Sequence, residues 1–82
     1  MKVTFHAGER FLQRVLKMTR YSKQHILNAM ELIKKDIKDL EVNGARFVLP
    51  TFPQHIAVVQ DNHIVTIINK KHAKFKYKRS YN

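Results

Sequence analysis

The sequence predicts an α+β domain in which two N-terminal helices pack on a three- or four-stranded antiparallel sheet. Apolar residues recur at helical spacing up to Gly44, whereas beyond it they stand in short runs rich in Val and Ile, which are typical of strands. The chain has 82 residues, so we expect a single domain, residues 1–82, with a modest core.

The first helix is predicted over residues 7–18. The apolar residues that would face the core share helical spacing: Ala7, Phe11, Val15 and Met18. Thr4 can cap the start of this helix, although Gly8 weakens its first turn. Residues 2–5 are compatible with either a short strand or a plain approach to the helix.

The second helix is predicted over residues 22–42, with Ser22 as its N-cap. Its apolar stripe follows a 4-3-4-3 spacing: Ile26, Met30, Ile33, Ile37 and Leu40. The Asn43–Gly44 pair supplies a residue that tolerates the left-handed conformation, and we expect the helix to stop there.

Three strands are predicted over residues 46–49, 54–60 and 63–69. Asp61–Asn62 would join the last two as a two-residue hairpin turn, because Asn tolerates the positive φ that such turns require. With that turn, Val59 would oppose Ile64 and Val58 would oppose Val65.

The tail, residues 72–82, alternates basic and aromatic side chains. It is compatible with a fourth strand that has a basic outer face. It is equally compatible with an arm that becomes ordered on a nucleic acid by stacking its aromatic rings.

Several classes of site are excluded by what the sequence lacks. It has no cysteine, so disulfides, thiolate zinc sites and cysteine nucleophiles are ruled out. Neither a helical HxxxH or HExxH spacing nor a phosphate-binding glycine motif is present, and we expect neither metal nor cofactor. The apolar runs are too short to span a membrane, so we expect a cytoplasmic protein.

Charge is the most informative bulk property of the chain. The net charge is +10, and it is uneven: residues 1–24 carry +5 and residues 70–82 carry +6, while the middle is close to neutral. Two basic ends folded onto one face would attract a polyanion, and RNA is the preferred candidate.

Three polar residues of the first helix recur at steps of four, namely His6, Arg10 and Arg14. A helix would stack them in one column, with Gln13 and Lys17 beside it. Two guanidinium groups one turn apart can hold the oxygens of a phosphodiester, and a histidine beside them can transfer a proton. The same spacing is also compatible with the ordinary solvated face of an amphipathic helix.

The column His-x-x-x-Arg-x-x-x-Arg, followed by a second helix and a sheet, resembles small toxin-like proteins of bacteria and phages. These belong to the group of metal-independent ribonucleases that includes RelE-type toxins, colicins and barnase-like nucleases. The resemblance covers most of the chain in outline, and three residues match as a motif. It implies that His6 acts in acid–base chemistry or contacts phosphate, and that Arg10 and Arg14 bind phosphate.

In such a reaction the ribose 2′-OH attacks phosphorus, a base takes its proton, and an acid protonates the leaving 5′-oxygen. The predicted catalytic residues are His6, Arg10, Arg14 and His72, where His72 pairs with His6 only if the last strand lies beside the first helix. The predicted nucleic-acid contacts are Lys17, Lys70, Lys71, Lys74, Lys76, Tyr77, Lys78 and Arg79. The other histidines, His25, His55 and His63, are interpreted as structural or solvated.

Three functions follow from these observations. The leading hypothesis is a toxin-like, metal-independent endoribonuclease. The alternative is a non-enzymatic phage or mobile-element protein that binds nucleic acid or inhibits a nucleoprotein machine. The third is a protein-binding module whose basic face meets an acidic partner such as an antitoxin.

Overall fold

The structure is a computed structural model, and it describes residues 1–41 and 44–71. The elements follow one another as β1 (Lys2–Val3), α1 (Phe5–Arg14), α2 (Lys23–Asp36), β2 (Arg46–Val48), β3 (His55–Gln60) and β4 (His63–Asn69). The predicted α+β class is confirmed, with both helices preceding the three main strands.

The four strands form one sheet in the order β1-β4-β3-β2. The pairs β2–β3 and β3–β4 are antiparallel as predicted, but β1 runs parallel to β4, so the sheet is mixed. The fourth strand of the described structure is therefore Lys2–Val3. The strand or arm predicted over residues 72–82 lies outside the described residues.

The β3–β4 hairpin confirms the two-residue turn, because Asp61 and Asn62 have φ of 51° and 62°. Val59 opposes Ile64 as predicted, but the register then shifts by one residue. Val58 opposes Thr66, so its predicted pairing with Val65 is wrong. This bulge turns both Ile64 and Ile67 toward the core, since two residues three apart point to opposite faces of a regular strand.

Helix α1 begins at Phe5 and ends at Arg14, earlier at both ends than predicted. Its start is fixed by Thr4, whose side-chain oxygen accepts a hydrogen bond from the Ala7 N–H at 3.1 Å. Its end follows from Lys17, which takes a left-handed φ of 58° and turns the chain out of the helix. The predicted helical stretch up to residue 18 is therefore wrong.

Helix α2 begins after Ser22, which caps it as predicted. His25 completes a reciprocal cap, because its Nδ1 accepts the Ser22 N–H at 2.9 Å. His25 therefore has a structural role at the start of this helix.

The helix ends at Asp36, six residues before its predicted end. The Asp36 carboxylate accepts the Thr51 N–H at 3.1 Å, which ties this end of α2 to the loop between β2 and β3. Gly44 has a positive φ of 104°, but it lies beyond α2 and does not stop it. Residues 42 and 43 lie outside the described residues.

The helices cover one face of the sheet. The buried core consists of Val3, Ala7, Phe11, Leu12, Ile26, Ala29, Ile33, Ile37, Leu49, Ala57, Ile64 and Ile67. Gly8 allows α1 and α2 to approach closely, because a Cβ at this position would lie 2.9 Å from the Ile26 carbonyl oxygen. This packing leaves the polar side of α1 facing outward.

Candidate nucleic-acid interface

The polar side of α1 carries His6, Arg10 and Arg14, all three within the helix. The Arg10 Nε donates a hydrogen bond to His6 Nε2 at 3.3 Å. The structure thus places the His6 imidazole in contact with a guanidinium.

A chain of hydrogen bonds continues from Arg10 along the helix surface. Arg10 Nη1 donates to Gln13 Oε1 at 2.7 Å, and Gln13 Nε2 donates to the Tyr21 hydroxyl. That hydroxyl donates in turn to Glu9 Oε2 at 2.8 Å. Five side chains, including His6, therefore form one connected network.

Tyr21 reaches this network from the loop that joins the helices. Its hydrogen bond to Glu9 raises the pKa of the phenol above its ordinary value, and burial adds to the shift, while the contact with Gln13 opposes it. The Tyr21 hydroxyl is therefore a hydrogen-bond donor to Glu9 in this network. Sequence spacing gave no sign of this residue, since a loop position follows no helical period.

Arg14 fastens the end of α1 to the sheet at two points. Its Nη1 donates to the Ile67 carbonyl of β4 at 2.9 Å. Its own carbonyl accepts a hydrogen bond from Nε2 of His55 in β3 at 3.1 Å. His55 is buried and satisfied, in line with its structural interpretation from the sequence. Arg14 is consequently held in place against β4.

Arg14 contacts β4, the strand that leads to Lys70 and Lys71; the rest of the second predicted basic end lies outside the described residues. Lys70 and Lys71 follow β4 directly and are exposed, and the Lys70 N–H pairs with the Gln54 carbonyl at 2.8 Å. His6 lies two helical turns from Arg14, about 12 Å along the axis. No hydrogen bond within the described residues joins His6 to either lysine.

The remaining predicted contacts fall into two groups. Lys17 is exposed but lies beyond the end of α1, so it does not extend the helical column. The others lie outside the described residues: His72, Lys74, Lys76, Tyr77, Lys78 and Arg79.

The arginines of α1 are not neutralised by carboxylates in the described part of the chain. The ion pair found there joins Lys34 to Glu31 on α2, at 3.5 Å. Glu9, the acid of α1, bonds to the Tyr21 hydroxyl and to neither arginine. Two closely spaced cations without carboxylate partners favour binding of an external anion.

In the column, His6 is exposed, whereas Arg10 and Arg14 are half-buried. A cavity of about 320 Å³ has no lining residue from α1: it is bounded by Met1, Lys34, Ile37, Lys38, Leu40 and Asn62. Small molecules favour concave pockets, whereas an open cationic face suits an extended polyanion. The α1 surface is therefore the better candidate for a nucleic-acid interface.

Comparison of the chain with protein-family models, with curated proteins and with solved structures found no match. Within residues 1–41 and 44–71, no helix has the length and apolar character to cross a membrane. The same ranges hold no cluster of three or more His, Cys, Asp or Glu residues arranged to hold a metal ion. Function is therefore inferred from the geometry and charge of α1 and its neighbours.

Proposed function

We propose that this is a cytoplasmic, toxin-like protein that binds RNA through the cationic side of α1 and cleaves it as a metal-independent endoribonuclease. One observation carries the proposal. The His6 imidazole contacts the guanidinium of Arg10, on a helix whose arginines have no carboxylate partner among the described residues.

The arginines would hold the phosphodiester. Arg14 uses Nη1 to bind the Ile67 carbonyl, which fixes the side chain and leaves its other guanidinium N–H groups for an anion. Arg10 is similarly positioned through Gln13. Positioned cations stabilise the charge that develops on phosphorus more effectively than mobile ones do, because they need no reorganisation.

His6 would serve as the base once substrate is bound. A phosphate that draws the Arg10 guanidinium toward itself frees His6 Nε2 to take the proton of the ribose 2′-OH. The 2′-oxygen then bonds to phosphorus, the bond from phosphorus to the 5′-oxygen breaks, and an acid protonates that oxygen. His72, outside the described residues, remains the predicted acid.

A non-enzymatic phage or mobile-element protein that binds nucleic acid, or inhibits a nucleoprotein machine, is the second candidate. One observation favours it. The Tyr21 hydroxyl donates its hydrogen bond to Glu9, and the described residues place no second proton donor against His6. Such a protein would use the same cations without cleavage. An acidic partner such as an antitoxin would also meet these cations, and salt that strips RNA would leave that complex intact only if apolar contacts add to it.

The test is cleavage of a mixed RNA substrate in EDTA by the wild type and by His6→Ala. We expect the wild type to cut and the variant to lose at least about a hundredfold in rate with affinity changed less than about threefold, because a lost proton carrier costs rate more than binding. His63→Ala is the matched control, since His63 bonds to the Asp61 carbonyl of its own hairpin turn.

Each alternative outcome has a distinct meaning. Binding without cleavage by the wild type would replace the ribonuclease with the non-enzymatic binder. Equal cleavage by His6→Ala and wild type would remove His6 from the mechanism, and absence of RNA binding would reject the cationic interface itself.

A further inference from the structure

Phe5 is an exposed aromatic residue at the head of the cationic column. It is the first residue of α1 and is 44% exposed, whereas Phe11 on the same helix is completely buried. Phe5 lies directly before His6 in the sequence. A large ring left in solvent beside an anion-binding group is a surface on which a planar ligand can stack.

A second ring lies along the same side of the helix. Residues four apart share a ridge, so Phe5, Glu9 and Gln13 form one line on α1. The Tyr21 hydroxyl contacts both Glu9 and Gln13 and is therefore placed over that line. The Tyr21 ring also packs against the hydrophobic core, so Phe5 is the more exposed of the two rings.

Arg14 lies on the side of α1 that faces β4. Arg14 reaches the Ile67 carbonyl there, while Gly8, three residues after Phe5, meets α2. A nucleic-acid strand that follows the column would therefore have a phosphate at Arg14, on the β4 side, and a base at Phe5. This is the arrangement by which proteins bind single strands, with a cationic track for the backbone and rings for the bases.

We infer that the interface takes single-stranded RNA in preference to duplex RNA, and that Phe5 stacks on a base of the strand. The inference rests on the proposed function and adds its substrate class. Bases within a duplex are already stacked on their neighbours and offer no free face, and the deep, narrow major groove of A-form RNA excludes side chains. An unpaired base has both faces available to Phe5.

The experiment measures binding of a 2′-O-methyl oligoribonucleotide, which has no 2′-OH nucleophile and cannot be cut by the proposed route. The same strand is used alone and annealed to its complement, and affinity is followed by fluorescence anisotropy. Phe5→Ala is compared with Leu16→Ala, because Leu16 has a matching exposure of 45% and lies just past the end of α1.

We expect the wild type to bind the single strand at least about tenfold more tightly than the duplex. Phe5→Ala should weaken single-strand binding about tenfold and change duplex binding less than about twofold, as expected for loss of one stacked base. Phe5→Trp should retain the preference, and Leu16→Ala should leave both affinities unchanged. A deoxyribonucleotide strand of the same sequence tests RNA against DNA.

The outcomes separate this inference from the proposed function. If the wild type binds neither form, the RNA-binding proposal fails. If it binds both forms equally, or if Phe5→Ala weakens both by the same factor, RNA binding stands and the single-strand inference is overturned. Equal losses in Phe5→Ala and Leu16→Ala would also overturn it, since any exposed apolar side chain would then do the same.

Discussion

The helices α1 and α2 are alike in amphipathic character and net charge but differ in how their polar surfaces are organised. Each is amphipathic, and each carries one net positive charge, from two arginines against one acid in α1 and three lysines against two acids in α2. In α1, Glu9 and Arg10 belong to one hydrogen-bonded network, and Arg14 is bonded to the sheet. In α2 the lysines are exposed, and Lys34 forms a short-range pair with Glu31.

This difference shows that charge and periodicity alone do not identify a binding surface. An exposed ion pair such as Lys34–Glu31 contributes about 0–1 kcal/mol and neutralises the cation it holds. Arg14 instead donates to the Ile67 carbonyl, an uncharged partner, so it is positioned and keeps its full charge. Neutral partners are what make the cations of α1 available to an anion.

The largest expected effect is on the free energy of unfolding, and it comes from the N-cap residues of the two helices. The Thr4 side chain caps α1 and also donates to the Ile64 carbonyl of β4 at 2.8 Å, whereas Ser22 caps α2 locally. We expect Thr4→Ala to lower the free energy of unfolding by about 2 kcal/mol and Ser22→Ala by about 1 kcal/mol. Urea denaturation measures both, and the exposed Thr19→Ala serves as the control. Equal losses would mean that the bond to β4 contributes nothing.

Affinity for RNA gives the next largest effect. We expect Arg10→Ala to weaken binding about tenfold, equivalent to about 1.4 kcal/mol, and Lys34→Ala to weaken it less than about twofold. Arg10→Ala should also lower the slope of log affinity against log salt by about one, because one phosphate contact is lost. Salt titrations of the wild type and both variants check this. A larger loss for Lys34→Ala would move the interface to α2.

The smallest expected effect is on the stability of the fold at alkaline pH. The hydrogen bond to Glu9 raises the pKa of Tyr21 above 10.0 in the folded protein, so the fold holds this proton more tightly than the unfolded chain does. The resulting stability is present below pH 10.0 and is lost as the pH rises through the folded pKa.

We therefore expect Tyr21→Phe to lose less stability than the wild type between neutral and strongly alkaline pH. Urea midpoints measured across that range for both proteins test this. Other groups that titrate there affect both proteins alike, so the difference between the two reports on Tyr21. Parallel pH dependence in the two proteins would show that the Glu9 contact does not persist in solution.

The sequence was sufficient for elements whose determinants are local. The caps at Thr4 and Ser22 and the turn at Asp61–Asn62 depend on residues adjacent in the chain, and all three are confirmed. The ends of both helices were predicted too late: Lys17 takes a left-handed φ just past α1, and a distant contact holds the end of α2. Asp36, the last residue of α2, binds Thr51, fifteen residues away, and no periodicity reveals that bond.

The candidate site follows the same rule. The spacing of His6, Arg10 and Arg14 gave the column, since helical geometry is local. The network through Tyr21 and the anchoring of Arg14 on Ile67 depend on how the loop and β4 fold back on α1. The bulge between Val58 and Val59 likewise depends on burying two isoleucines of β4 against the helices, which hairpin pairing alone does not include.

The bond from Arg14 to Ile67 has a consequence for the assembly of the protein. Within the described residues, β1 pairs with β4 at His63 and Ile64, so the carbonyl of Ile67 faces a side of β4 that no strand occupies. An unpaired strand edge of this kind pairs with strands of neighbouring molecules and starts aggregation. The Arg14 guanidinium opposes such pairing because it already binds the Ile67 carbonyl. Replacing Arg14 should consequently promote self-association. Inactivity of such a variant would then reflect aggregation as much as the loss of a phosphate ligand.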